Sequence, residues 1–199
     1  FVESSTLRDF LRRDWKSNEH PFRTIPSDTM LKLDSVLTEL AEILRSEKAA
    51  QYLPLLGDMR KLKRFVNAAL MMQIEKTDFA KTDFNRRDLV NLMLLHLNYP
   101  GLFRRIYAEE TEGRVGVYSA KRDVVERNVK FSNKEGFEKT ISDNNDSTSQ
   151  FLLRQLFDVS VLGVMNTDPT NESVLSSRAC FNADEYRNLE KYLKLIVKF

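Results

Sequence analysis

One stretch of this sequence decides how the fold is interpreted: Gly57-Asp58-Met59-Arg60-Lys61-Leu62-Lys63-Arg64-Phe65-Val66-Asn67-Ala68-Ala69-Leu70. A small turn residue precedes a segment with the period of an amphipathic helix, and Asp58 is placed to cap that helix. On a wheel of about 100° per residue, the apolar residues fall on one side: Leu62, Phe65, Val66 and Ala69. Arg60 and Arg64 lie one turn apart on the opposite side. The stretch therefore predicts a helix that buries one face and exposes two arginines.

The exposed side of this helix is the candidate functional site, and we define its basic face as Arg60, Lys61, Lys63, Arg64 and Asn67. Arg60 and Arg64 are the candidate anion-contacting residues, and the other three support them. From composition alone, a solvated helix surface explains the pattern about as well as a binding surface does. The sharper hypothesis is that the two arginines reach an anion held by another part of a larger protein, since a guanidinium presents a planar fork to phosphate or carboxylate oxygens.

The sequence around this helix predicts an all-α protein. Only six Gly and five Pro occur in 199 residues, which is low for a loop-rich or all-β chain. We expect an irregular bundle of about eight helices, near 4–15, 28–44, 49–56, 59–75, 86–98, 102–108, 148–157 and 186–196. At most one short β-hairpin is expected, near 112–122, and the polar residues 123–141 are expected to form short helices with loops.

The length suits one ordinary domain or two small helical lobes. Glycine and charge concentrate near 112–122, so sub-lobes 1–111 and 123–199 are one option within a single helical domain 1–199. The chain begins with Phe1 rather than Met and stays apolar up to Phe199. We interpret these ends as those of a piece of a longer polypeptide.

The bulk composition excludes several classes of protein. The 31 Lys and Arg nearly balance the 29 Asp and Glu, so no strong overall field favours nucleic acid. One cysteine, Cys180, and two histidines, His20 and His96, give neither a disulfide nor a zinc constellation, and this usage fits a cytoplasmic protein. No uncharged apolar run approaches the roughly 18 residues of a membrane helix. We expect no metal site and no membrane segment.

No set of residues assembles a catalytic site within this chain. His96 lies in an apolar run and is typical of a core histidine, while Cys180 has no nearby histidine in sequence and fits a small buried residue. The loop 143–147 lacks the central glycine and final glutamate of a calcium loop, and is expected to cap the helix that follows. Because the chain has no Gly-x-x-x-x-Gly-Lys-Ser/Thr motif, it is not a self-contained phosphate-transfer enzyme of the common type.

The segment 57–67 resembles the R-x-(I/L)-K-R-F-x-N helix in the C-terminal part of KAP-type P-loop NTPases, including the bacterial YobI-like group. Two further pieces are similar to later helices of that family: 84–102, and 150–157 with 178–181 and Tyr192. The resemblance implies a helical lid that follows a nucleotide-binding core whose Walker motifs lie upstream of Phe1. It also implies that Arg60 senses the γ-phosphate with support from Arg64. ATP and Mg²⁺ would then be bound only in the presence of that core, and this chain alone would bind neither of them.

Two other functions stay open. In a helical protein–protein interaction module with no nucleotide role, the basic face would meet an acidic surface of another subunit. In a nucleic-acid binder, Arg60, Lys61, Lys63 and Arg64 would contact phosphates, with an affinity that falls steeply with salt. The nearly balanced net charge makes the second of these the weakest of the three hypotheses. The sequence does not indicate which process such an ATPase would drive.

Overall fold

A computed structural model of the chain describes residues 27–72, 86–111, 118, 120–123, 128–131, 134–157, 181–183 and 186–197. Helices dominate this described part, which forms eight helices and four short strands, so the predicted helical class is confirmed. The chain divides into two compact units, Phe1–Asp78 together with Phe199, and Phe79–Lys198. The helix predicted near 4–15 lies outside the described residues, as do His20 and Cys180.

The first unit is described over three helices: α1 at Ser27–Arg45, α2 at Ala49–Leu56 and α3 at Met59–Met71. Each of the three contacts the other two. Their apolar residues recur at helical spacing and converge on one core, which contains Val36, Leu37, Leu40, Ile43, Leu44, Tyr52, Leu55, Leu56, Leu62, Phe65, Val66 and Ala69. The predicted positions of all three helices are confirmed, and α3 ends at Met71 rather than near 75.

Short joints connect these helices. Ser46 closes α1, because its hydroxyl donates to the carbonyl of Ile43 at 2.6 Å and its backbone N–H reaches the last-turn carbonyls. Gly57 follows α2 with φ −58°, a right-handed conformation that other residues adopt easily. Space is the tighter constraint there, since a Cβ on Gly57 would lie 3.2 Å from the carbonyl oxygen of Leu53.

The second unit is organised around α4, Arg86–Asn98, followed by α5, Pro100–Thr111. Later in the chain come α6, Lys134–Ser142, α7, Ser147–Phe157, and α8, Asn188–Val197. Residues 88–95 of α4 are all buried, as expected for a helix that is apolar almost all round. Helices α5, α7 and α8 all contact α4, and α8 also contacts α5. The prediction that α4 is central to its part of the chain is therefore confirmed.

A single residue, Tyr99, separates α4 from α5. Its backbone N–H donates to the carbonyl of Leu95 at 2.8 Å, and its own carbonyl accepts from the N–H of Phe103 at 3.0 Å. Pro100 occupies the first position of α5, where its missing N–H has no intrahelical partner to lose. These bonds allow one helix to end and the next to begin without an intervening loop.

The side chain of Tyr99 ties this corner to the start of α7. Asp146 caps α7 by accepting the backbone N–H of Ser149 at 2.8 Å, which confirms the cap predicted in 143–147. The hydroxyl of Tyr99 donates to the carboxylate of Asp146, and this bond is the main cause that lowers the pKa of Asp146. Burial and the same carboxylate raise the pKa of Tyr99 to about 12.

A second polar link holds Tyr118 against the helices. Glu110 of α5 is buried, and its carboxylate accepts the backbone N–H of Tyr118 at 3.0 Å. The Tyr118 ring packs on Phe157 of α7, with centroids 5.3 Å apart. Burial raises the pKa of Tyr118. These contacts connect α5 and α7 through one tyrosine.

Four short strands form one sheet in the order β2-β1-β3-β4. They are β1 at Ala120–Asp123, β2 at Asn128–Phe131, β3 at Phe181–Ala183 and β4 at Tyr186–Arg187. The expected limit of one hairpin near 112–122 is therefore too low. The expectation of helices and loops alone over 123–141 is also wrong, because β2 lies there beside α6. Tyr186, expected on the final helix, is in β4.

The sub-lobes 1–111 and 123–199 stay a prediction, and the contacts of the last helix bear on how the second unit is assembled. Helix α8, from the end of the chain, contacts both α4 and α5, which lie before residue 112. The division between the compact units falls between Asp78 and Phe79.

We predict that Gly101→Ala stabilises the protein by about 0.5–1 kcal/mol. Gly101 lies in α5, is exposed, and a Cβ there would meet no atom within 4 Å. Alanine loses less backbone entropy than glycine in a helix, so the unfolded state should become less favourable. Urea unfolding measures the change, and Gly57→Ala is the matched control, because its Cβ approaches Leu53. Equal stabilisation by both substitutions would contradict the space argument.

We predict that Tyr99→Phe destabilises the protein by about 0.5–1 kcal/mol near neutral pH, through loss of the bond to Asp146. Because the pKa of Asp146 is lowered by folding, its carboxylate stabilises the fold above the pKa of the unfolded chain. That stabilisation is lost as the pH falls through the pKa of the folded state. Because the pKa of Tyr99 is raised to about 12, its neutral hydroxyl stabilises the fold fully below about pH 10. That stabilisation is lost as the pH rises from there through the raised value. The difference from wild type, measured by urea unfolding, should therefore shrink at both extremes. A difference that is constant with pH would contradict the bond.

Candidate anion-binding face

The orientation of the candidate site is set by the buried side of α3. Leu62, Phe65 and Val66 are fully buried and Ala69 is nearly so. These positions recur at three- and four-residue spacing, so they occupy one side of the helix. The opposite side must then face away from the core of the first unit.

The structure places the predicted residues of the basic face on this outer side. Arg60, Lys63, Arg64 and Asn67 are all exposed, whereas Lys61 is half-buried. Residues three and four apart on a helix have Cβ atoms about 5–6 Å from each other, so Arg64 neighbours both Arg60 and Asn67. The face thus brings two guanidinium groups, one ammonium group and one amide together on adjacent turns.

Lys61 is directed elsewhere. Its ammonium group donates to the carbonyl oxygen of Pro54 at 2.9 Å, near the end of α2. This bond satisfies one of the carbonyls that a helix end leaves without an intrahelical partner. Lys61 therefore has a structural role that its position in the sequence did not reveal, and it is a weaker member of the basic face than predicted.

Asp58 occupies the N-terminal end of the same helix. It has the extended backbone of an N-cap residue, and its carboxylate accepts the backbone N–H of Lys61 at 2.8 Å, as predicted. That hydrogen bond is the main cause that lowers the pKa of Asp58, and the charges of Lys61 and Arg60 lower it further. A negative charge therefore stands beside Arg60, and the helix terminus is already occupied by the protein's own carboxylate.

Met71 extends the exposed side of α3 with an apolar group. It is 58% exposed and lies about 20° from Arg60 on the helical wheel. An apolar side chain of this size beside arginines is more typical of a contact surface than of a purely solvated face. Met71 is not among the residues predicted for the basic face, although the helical period alone places it on the same side of α3.

His96 and the loop 143–147, which were also considered from the sequence, make contacts that support the fold. The ring of His96 is half-buried and packs edge-on against Phe103, with centroids 4.7 Å apart. Asp143 lies just after α6, and the loop that follows it caps α7. Across the described residues, no group of three or more His, Cys, Asp or Glu side chains could hold a metal ion.

No family model, curated protein or solved structure matches this chain. The described residues form a mainly helical protein with one small mixed sheet, and its first unit carries a basic helix face. None of the described helices combines the length and the apolar character needed to cross a membrane.

We predict that Asp58→Ala lowers the thermal midpoint by about 2–4 °C at neutral pH, because the cap on α3 is lost. Asp58→Asn is the control, since asparagine caps a helix about as well and should keep the midpoint near that of wild type. A lowered carboxyl pKa stabilises the fold only above the unfolded value, so the effect of Asp58→Ala should fade below about pH 4. An equal loss in both variants at neutral pH would mean that the charge, not the cap, is responsible.

Proposed function

We propose that this chain is a nucleotide-sensing helical lid of a larger P-loop ATPase, in which α3 contacts phosphate oxygens of a nucleotide held by a separate core. The observation that carries the proposal is the exposure of Arg60 and Arg64, one turn apart, opposite the buried side of α3. The resemblance of segment 57–67 to the KAP-type helix supports the identity of the anion.

The chemistry of the face suits phosphate. An arginine stays charged at any physiological pH and can donate two parallel N–H bonds to neighbouring oxygens. Backbone amides at helix N-termini bind phosphate in many proteins, and in α3 Asp58 already accepts one of them, the N–H of Lys61. Recognition on α3 therefore depends on its side chains. ATP and Mg²⁺ would be bound by the core, and the arginines would make the lid position depend on the presence of the γ-phosphate.

A test uses the full polypeptide that contains this chain. We predict that the double substitution Arg60→Ala and Arg64→Ala lowers ATP turnover by about 10³-fold, the effect typical of losing a phosphate-contacting arginine. Arg45→Ala is the matched control, because Arg45 is exposed on α1 of the same unit and should leave turnover unchanged. Unchanged turnover in the double variant, or a full polypeptide without a P-loop motif, would contradict the proposal.

The exposure of Met71 favours a second function, a helical module that binds an acidic segment of another protein subunit. The arginines would contact carboxylates and Met71 would contact an apolar side chain of the partner. Met71→Ser separates the two functions. It should leave ATP turnover unchanged if α3 is a nucleotide-sensing lid, and it should weaken subunit association if α3 is a protein-binding surface.

A further inference from the structure

The residues of the basic face do not have equivalent surroundings. Two of its four cations lie in the first turn of α3, beside the Asp58 carboxylate, and two lie in the next turn. Because the carboxylate is held over the first turn by its 2.8 Å bond to the N–H of Lys61, its position is fixed. Arg64 begins about 6 Å further along the helix axis than Arg60 does.

The first-turn cations are partly used by the protein itself. Lys61 donates its ammonium group to the Pro54 carbonyl, and the charge of Arg60 acts on the adjacent carboxylate. An incoming anion near Arg60 would meet the repulsion of Asp58 at short range. The first turn is therefore the less favourable end of the face for an anion.

The next turn has no such competitor on α3. Lys63 and Arg64 are exposed, and Asn67 lies three and four residues beyond them, so its amide neighbours both. An ammonium group, a guanidinium and an amide together offer donors to several oxygens of one tetrahedral anion. The macrodipole of the helix acts mainly in its terminal turns, so it contributes little in the middle of α3.

We propose that the phosphoryl contact on α3 is made by Lys63, Arg64 and Asn67, because the Asp58 carboxylate disfavours an anion at Arg60 and the Pro54 carbonyl holds the Lys61 ammonium group. This rests on the proposed function, and it changes the leading residue from Arg60 to Arg64. It also gives Asp58 two roles, since the same carboxylate caps the helix and restricts the anion to the second turn.

The test titrates the ¹⁵N-labelled 199-residue chain with inorganic triphosphate at low ionic strength and follows amide shifts by NMR. Lys63→Ala and Arg64→Ala should each weaken binding about two- to fivefold, the range expected for exposed charge contacts. Arg60→Ala should change affinity less than about twofold, as should the control Arg45→Ala. Equal losses from Arg60→Ala and Arg64→Ala would overturn the proposal.

Asp58→Asn provides a more specific test of the role of Asp58, because it keeps the helix cap and removes the charge. It should tighten triphosphate binding about twofold. The control Glu42→Gln removes one negative charge at an exposed position of α1, and it should not tighten binding. In the Asp58→Asn background, Arg60→Ala should now weaken binding, so the two substitutions are coupled. Additive effects, or no gain from Asp58→Asn, would overturn the role of Asp58.

Two outcomes distinguish this inference from the function on which it rests. ATP and inorganic triphosphate should bind equally, because the group contacts phosphoryl oxygens only, and much tighter binding of ATP would contradict it. If the double substitution Arg60→Ala and Arg64→Ala leaves ATP turnover of the full polypeptide unchanged, the proposed lid function is wrong. If turnover depends on the pair but Arg60→Ala alone accounts for the loss, only the present inference fails.

Discussion

Burial of the apolar stripe of α3 is the constraint on which the orientation of the basic face depends. Each buried side chain of this size contributes about 1.5–3 kcal/mol, whereas an exposed ion pair contributes about 0–1 kcal/mol. Leu62, Phe65 and Val66 are all fully buried, so the rotation of α3 about its axis is fixed by apolar packing. The charged side chains follow from that rotation and do not determine it. Substitutions on the outer side should therefore alter binding while the fold is kept.

Features that depend on neighbouring residues could be predicted from the sequence. The period of α1 and α3, the stop after α2 and the Asp58 cap are all local, because each is decided within one or two helical turns. The outer position of Arg60 and Arg64 follows from the same periodicity. The central place of α4 could be predicted for a similar reason, since a helix that is apolar almost all round must be covered on several sides.

Features that depend on distant residues could not be predicted. Strand β1 pairs in parallel with β3, where Ala120 is aligned with Phe181, and nothing local in these short strands marks that pairing. Helix α8 packs on helices that precede residue 112, and contacts between such distant parts of the chain leave no local signal in the sequence. In the candidate site, the bond from Lys61 to Pro54 depends on how α2 and α3 meet, so a helical wheel of α3 alone does not contain it.

The exposed character of the basic face limits what it can do alone. Three exposed contacts of at most about 1 kcal/mol each give about 3 kcal/mol, less than the roughly 4 kcal/mol of millimolar binding. Such a face cannot retain a nucleotide by itself, and most of the binding free energy must come from another surface. A contact of about 1–3 kcal/mol is nevertheless the usual size of an allosteric coupling energy. In the function that we propose, a face of this strength would shift the lid between two positions according to the phosphate present, while the core would hold the ligand.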